Sequence, residues 1–123
     1  MDALEFSSLS LKIEKQTILD DTVLLISLHG QITNTNAYEI NAKISEIFKD
    51  NIFNIILDLT QLQYINSIGV ATLLGMIRTV EKNNGKMSIG GLNHFLENVI
   101  KLMDLPKKIK IYSTCEGAIS AWC

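Results

Sequence analysis

Only one proline, Pro106, interrupts the 123 residues, and no apolar stretch approaches the roughly 18 residues that a bilayer span requires. The first residues, MDALEFSS, have neither a basic n-region nor a long apolar core, so no secretory signal is expected and the reading is cytoplasmic. An excess of one charge is missing too. Eleven Lys and Arg against 13 Asp and Glu leave a formal charge of −2, which gives no basic stripe for nucleic acid and no electrostatic hold on a membrane. Cysteine is scarce: Cys115 and Cys123 stand near the C-terminus without metal-ligand spacing to either histidine, His29 or His94, and without a CaaX pattern. Two reduced thiols are the expectation, with Cys115 partly packed, Cys123 frayed, and no metal bound.

Hydrophobic residues make up 47% of the chain, enough for a real core, and the length suits one domain over residues 1–123. The stretch from Phe53 to Lys82 organises the rest. Phe53-Asn54-Ile55-Ile56-Leu57 is an apolar, β-branched run of the length of a strand buried on both faces. From Val70 the period changes, and Val70, Leu73, Leu74, Ile77 and Val80 form one stripe of a helix. Between them, Asn66 and Ser67 both suit an N-cap, which places a serine hydroxyl at or beside the positive end of a helix dipole. A phosphate there would meet unpaired N–H groups and a favourable dipole.

The remaining segments alternate in type. Leu9–Lys15 reads as an edge strand and Thr22–Leu28 as its antiparallel partner, with a turn at Asp20-Asp21 and a break at Gly30. Asn36 with Glu39 resembles a capping box opening a helix whose inner stripe is Ala37, Ile40, Ile44, Ile47 and Phe48. Asn83-Asn84-Gly85 ends the second helix. A short strand at Lys86–Ile89, a helix from Asn93 to Leu105, a strand at Ile109–Tyr112 and a terminal helix boxed by Ser113 to Glu116, with Ala118, Ile119 and Trp122 inward, complete the order. The fold class is α/β: a mixed, mostly parallel sheet of about five strands with about four helices, in the order ββαβαβαβα.

Leu57-Asp58-Leu59-Thr60, followed by Tyr64-Ile65-Asn66-Ser67-Ile68-Gly69-Val70 and Leu73-Leu74, resembles the signature of STAS domains, the anti-sigma factor antagonist family. Gly30-Gln31-Ile32-Thr33 is similar to that family's turn between its second strand and first helix, with Thr33 where Asp is commoner. The likeness runs from about Leu9 to Trp122, and only its central motif is specific. Aligned on Gly69, Ser67 matches the serine that a partner kinase phosphorylates in such antagonists. Asn66 stands where an acidic residue is usual, and Ile68 where a second serine is common. The resemblance implies an anti-sigma factor with serine kinase activity as partner, a serine phosphatase that resets the switch, and control of sigma-factor-dependent transcription. ATP and Mg²⁺ would belong to the kinase, and this chain would bring no cofactor and no catalytic residue.

Each candidate also has a plainer reading. Spacing alone favours Ser67 as a helix cap, and the resemblance favours phosphorylation. Thr33, Asn34, Asn66, Ile68 and Gly69 would join Ser67 in a partner-binding surface, or Thr33, Asn34 and Asn36 would simply cap a helix. Asp58 reads as a carboxylate satisfying loop N–H groups, since a catalytic acid lacks a second group here. Both histidines read as structural or exposed. Gly90-Gly91 fits no phosphate-binding motif, and Met87, Met103, Leu102 and Phe95 read as core. Two functions remain: a phosphorylation-controlled antagonist, and a scaffold or sensor module binding proteins or a small ligand without phosphotransfer. An enzyme or nucleotide binder is disfavoured by the missing Gly-rich loop.

Overall fold

The apolar run at the centre of the sequence becomes the middle of a sheet. The computed structural model describes residues 2–122, the side chains of Asp2 and Ile44 excepted. Its strand β4 (Asn54–Asp58) lies between β3 (Asp21–Ile32) and β6 (Lys86–Gly90), both parallel to it. Successive side chains of a strand point to opposite faces, so a strand covered on both sides needs no polar alternation. Ile55, Ile56 and Leu57 are accordingly all buried. Beyond β6 lies the parallel strand β7 (Lys110–Tyr112); beyond β3 lie antiparallel β2 (Leu9–Ile18) and β1 (Asp2–Phe6). Strand β5 (Leu62–Ile65) pairs with the far end of β3.

Helices α1 (Asn34–Ile47) and α2 (Ser67–Lys82) cover one face. Ala37, Ile40 and Ile47 of α1 and Leu73, Met76, Ile77 and Val80 of α2 meet Leu11, Ile26, Leu57 and Ile89 from four strands. Helix α3 (His94–Leu102) adds Leu96 to this core. The short helix α4 (Cys115–Ser120) takes the opposite face, where Val23, Ile56, Cys115, Ala118 and Trp122 cluster. Asn84, at φ 59°, ends α2 in the left-handed conformation, and the Gly85 N–H reaches back to the Val80 carbonyl at 2.9 Å.

Several expectations are corrected. Among the described residues the sheet has seven strands rather than about five, the additional ones being the short β1 and β5. Each is five residues or fewer, and β5 exists only because β3 continues past Gly30 to Ile32. Gly30 therefore bends β3 instead of ending it. At φ 120°, with the Ser8 carbonyl oxygen 2.2 Å from where a Cβ would stand, it allows the β1–β2 turn to pass close by. The strand at Leu9 is no edge, since β1 pairs along its outer side. Helix α1 starts at Asn34 with Thr33 as its cap, three residues before the expected cap Asn36. Thr114 caps α4 by accepting from the Gly117 N–H at 2.9 Å, in place of a Ser113–Glu116 box. Helix α3 stops at Leu102, short of Leu105. Phe95 and Leu102 are exposed rather than core, while Met87 is buried and Met103 half-buried. Ile44, assigned to the inner stripe of α1, has its side chain outside the described set, and Cys123 lies outside the described residues.

Candidate functional site

Strands β3 and β5 run parallel and finish level, Ile32 beside Ile65, and each passes directly into a helix. The N-termini of α1 and α2 are therefore neighbours at one end of the sheet, although 32 residues separate Asn34 from Asn66 in sequence. Parallel pairing brings the two loops together at the carboxyl ends of the strands, where such folds place their binding residues.

Asn66 is the hinge of the arrangement. Its N–H donates to the Ile32 carbonyl at 3.3 Å, which prolongs the β3–β5 ladder by one bond. Its Oδ1 accepts from the Gly69 N–H at 2.9 Å, capping α2. Its Nδ2 donates to Oδ1 of Asn34, tying the first turn of α1 to the cap of α2. An aspartate could cap α2 equally well and could not make that donation. Ser67 follows as the first residue of α2 and is exposed. The first turn of α2 holds no acidic side chain, so nothing there opposes an anion at the positive end of the helix dipole.

The other predicted residues fall within the same patch. Asn34 is exposed, Thr33 and Ile68 are half-buried, and Gly69 is buried. A Cβ at Gly69 would stand 2.5 Å from Ile65 Cγ1 and 2.6 Å from Ile32 Cγ2, so glycine lets α2 start flush against the two strand ends. Asn36, read as the cap that opens α1, is fully buried below the surface patch and belongs to a capping box as the third residue of the helix, with Thr33 as the N-cap. Its Oδ1 accepts from the Thr33 N–H at 2.9 Å, and its Nδ2 donates to the carbonyls of Ser7 and Gln31 at 2.5 and 2.7 Å. One side chain thus fixes the β1–β2 turn, the end of β3 and the start of α1.

Sequence reasoning missed the aromatic pair that flanks this patch. Tyr64 of β5 and Phe95 of α3 stack with ring centroids 5.6 Å apart and are both 44% exposed. The signal was present in Tyr64, two residues before the cap, but Phe95 was assigned to the core by its helical spacing. Asp58 behaves as read: its Oδ1 accepts from the Thr60 N–H at 3.0 Å and from the Thr60 hydroxyl at 2.5 Å, shaping the β4–β5 loop. Burial, then the charge and hydrogen bonding of Asp58, push the Cys115 thiol up to about 11, so it stays protonated and unreactive at neutral pH. Among the described residues, no three His, Cys, Asp or Glu side chains converge on a possible cation site, and no helix is long and apolar enough to cross a membrane.

Residues 13–118 match the family model described as STAS domain. The chain belongs to the STAS domain family. A protein of Thermotoga maritima named as an anti-sigma factor antagonist is 24% identical over 103 residues, covering 83% of this chain and 90% of the relative. An anti-sigma factor antagonist from Mycobacterium paratuberculosis superposes with a TM-score of 0.76 at 22% identity, covering 93% of each chain. The Bacillus cell fate determinant SpoIIAA in its phosphorylated form gives 0.63 at 24% identity, over 89% of this chain and 97% of that one. Likeness at this level of identity establishes the shared fold.

Proposed function

We propose that this STAS domain is an anti-sigma factor antagonist that acts by binding, in the cytoplasm, an anti-sigma factor with serine kinase activity. The docking surface is the joined start of α1 and α2: Thr33, Asn34, Asn66, Ser67, Ile68 and Gly69. The kinase brings ATP and Mg²⁺ and phosphorylates Ser67; a serine phosphatase reverses it. The observation that carries this reading is the exposure of Ser67 at the first position of α2, beside a cap supplied by its neighbour Asn66. Because Asn66 does the capping, the serine hydroxyl is not needed to hold the helix and is free to be modified. Phosphate would add about −1.5 to −2 charges to a patch whose named residues carry no cation, which favours the helix start while repelling a partner surface matched to the neutral form.

A second reading, a scaffold or sensor module that binds partners without phosphotransfer, draws support from Asn66 itself. Its amide is engaged on both sides and presents no carboxylate to a kinase. Intact-mass measurement after incubation with an anti-sigma kinase encoded beside this chain and ATP decides between them. One added phosphate, lost in Ser67→Ala, supports the switch. No added phosphate with undiminished kinase binding supports the scaffold.

A further inference from the structure

On the face of the sheet that carries α4, that helix is six residues long and covers the cluster of Val23, Ile56, Cys115, Ala118 and Trp122. Where the cover stops, a cavity of about 670 Å³ opens over β3 and the end of β4, within the ~300–1,000 Å³ usual for small-molecule sites. Its lining is apolar at Leu25 of β3 and Ile119 of α4, and polar at Ser27 and His29 of β3. Among the described residues, the carboxylates on its wall are Asp58 and Glu116, and no Lys or Arg lines it. Asp58 is held in place by its two bonds from Thr60, and among the described residues no salt bridge engages it. None of Asn66, Ser67, Ile68 or Gly69 borders the cavity, so it is a place apart from the serine.

We propose that this cavity binds a small hydroxyl-bearing organic cation, of the amino-sugar class. The two carboxylates attract an ammonium group and turn away phosphates and carboxylates. Ser27 and His29 offer hydrogen bonds to hydroxyls, and the Leu25 and Ile119 lining suits the C–H face of a ring. The site is one of binding: the thiol beside Asp58 is held protonated, and among the described residues no hydrogen bond joins the Ser27 hydroxyl to the His29 imidazole, so no base activates it.

The experiment is a titration of the ¹⁵N-labelled chain followed by amide chemical shifts, with glucosamine, glucose and glucose 6-phosphate as separate probes at neutral pH, where the glucosamine ammonium is largely kept and an imidazole is largely uncharged. Glucosamine is expected to give saturable shifts centred on Ser27, His29 and Glu116, with binding about fivefold tighter than glucose, as one screened charge pair allows. Glucose 6-phosphate is expected to give none there. Glu116→Gln, at an exposed position, should reduce the advantage of glucosamine over glucose while Asp58 keeps the remainder, and Ser67→Ala should leave its binding unchanged. No saturable shift at the cavity with glucosamine, equal affinity for glucose, or tighter binding of glucose 6-phosphate would overturn the proposal. None of these results bears on whether Ser67 is phosphorylated.

Discussion

On the side of the sheet that faces α1 and α2, the strands offer almost nothing but aliphatic side chains: Leu9, Leu11 and Ile13, then Leu24, Ile26 and Leu28, then Ile55, Leu57, Met87 and Ile89. On the α4 side the same strands offer Val23 and Ile56, which with Cys115, Ala118 and Trp122 make a small cluster, and then turn polar at Ser27, His29 and Asp58. The first face is a core that a point change cannot easily relax. The second is a patch on a surface, closed by one helix of six residues. Functional groups follow that division. The Ser67 patch sits on the rim of the rigid face, where two helix starts are pinned by packing and by Asn36; the cavity opens where cover is incomplete.

Truncation should separate the two faces, and the largest effect is expected at Ile26, which is fully buried in the middle of the aliphatic side. Ile26→Ala should cost about 4 kcal/mol, read from the urea midpoint. Asn36→Ala comes next, at about 3 kcal/mol, because two carbonyls and one N–H lose their only side-chain partner in a site closed to water. It should also loosen Asn34 and hence the Asn66 cap, seen as faster amide exchange at Gly69. Trp122→Ala removes a buried ring that donates to Asp21 at 3.0 Å and lies under Lys86. Its cost should nonetheless be only about 2 kcal/mol, less than is usual for an enclosed tryptophan, because α4 can open locally toward the chain end. A loss at Trp122 equal to that at Ile26 would show that the two faces are one cooperative core after all.

The same division explains what could be read from the sequence. The aliphatic face announced itself through period: the Ile55–Leu57 run and the Leu73, Ile77 and Val80 stripe gave the central strand and helix, and the capping character of Asn66 and Ser67 placed the serine at or beside the start of α2. Strand β5 was not legible. Leu62-Gln63-Tyr64-Ile65 is too short for a periodic signal, and it pairs only because Gly30, which reads as a breaker, bends β3 instead. Phe95 and Leu102 misled because spacing shows which residues share a helix face, never whether anything covers that face. The bond between Asn34 and Asn66 and the cavity at Ser27 both join segments far apart in sequence, so only the parallel register reveals them.

The smallest effect is a slope with pH, and it isolates the α4 face. Cys115 has its thiol raised from an ordinary value of 9.0 to about 11, first by burial and then by the charge and hydrogen bonding of Asp58. In the unfolded chain the thiol ionises at its ordinary value, so the folded form binds the proton more tightly. Below that value both states hold the proton and the contribution to stability is fully present; it is lost as pH rises toward 11. Lysines and tyrosines titrate in the same window, so the quantity to measure is the difference in urea midpoint between the natural chain and Cys115→Ala, which should be constant below about pH 9 and should drift in favour of the alanine variant above it. Asp58→Asn should shift the onset of Cys115 alkylation by iodoacetamide to lower pH but leave it above that of an exposed thiol, because burial is the larger cause. An onset in Asp58→Asn equal to that of a free thiol would mean that the carboxylate, and not the cover provided by α4, protects this side of the sheet.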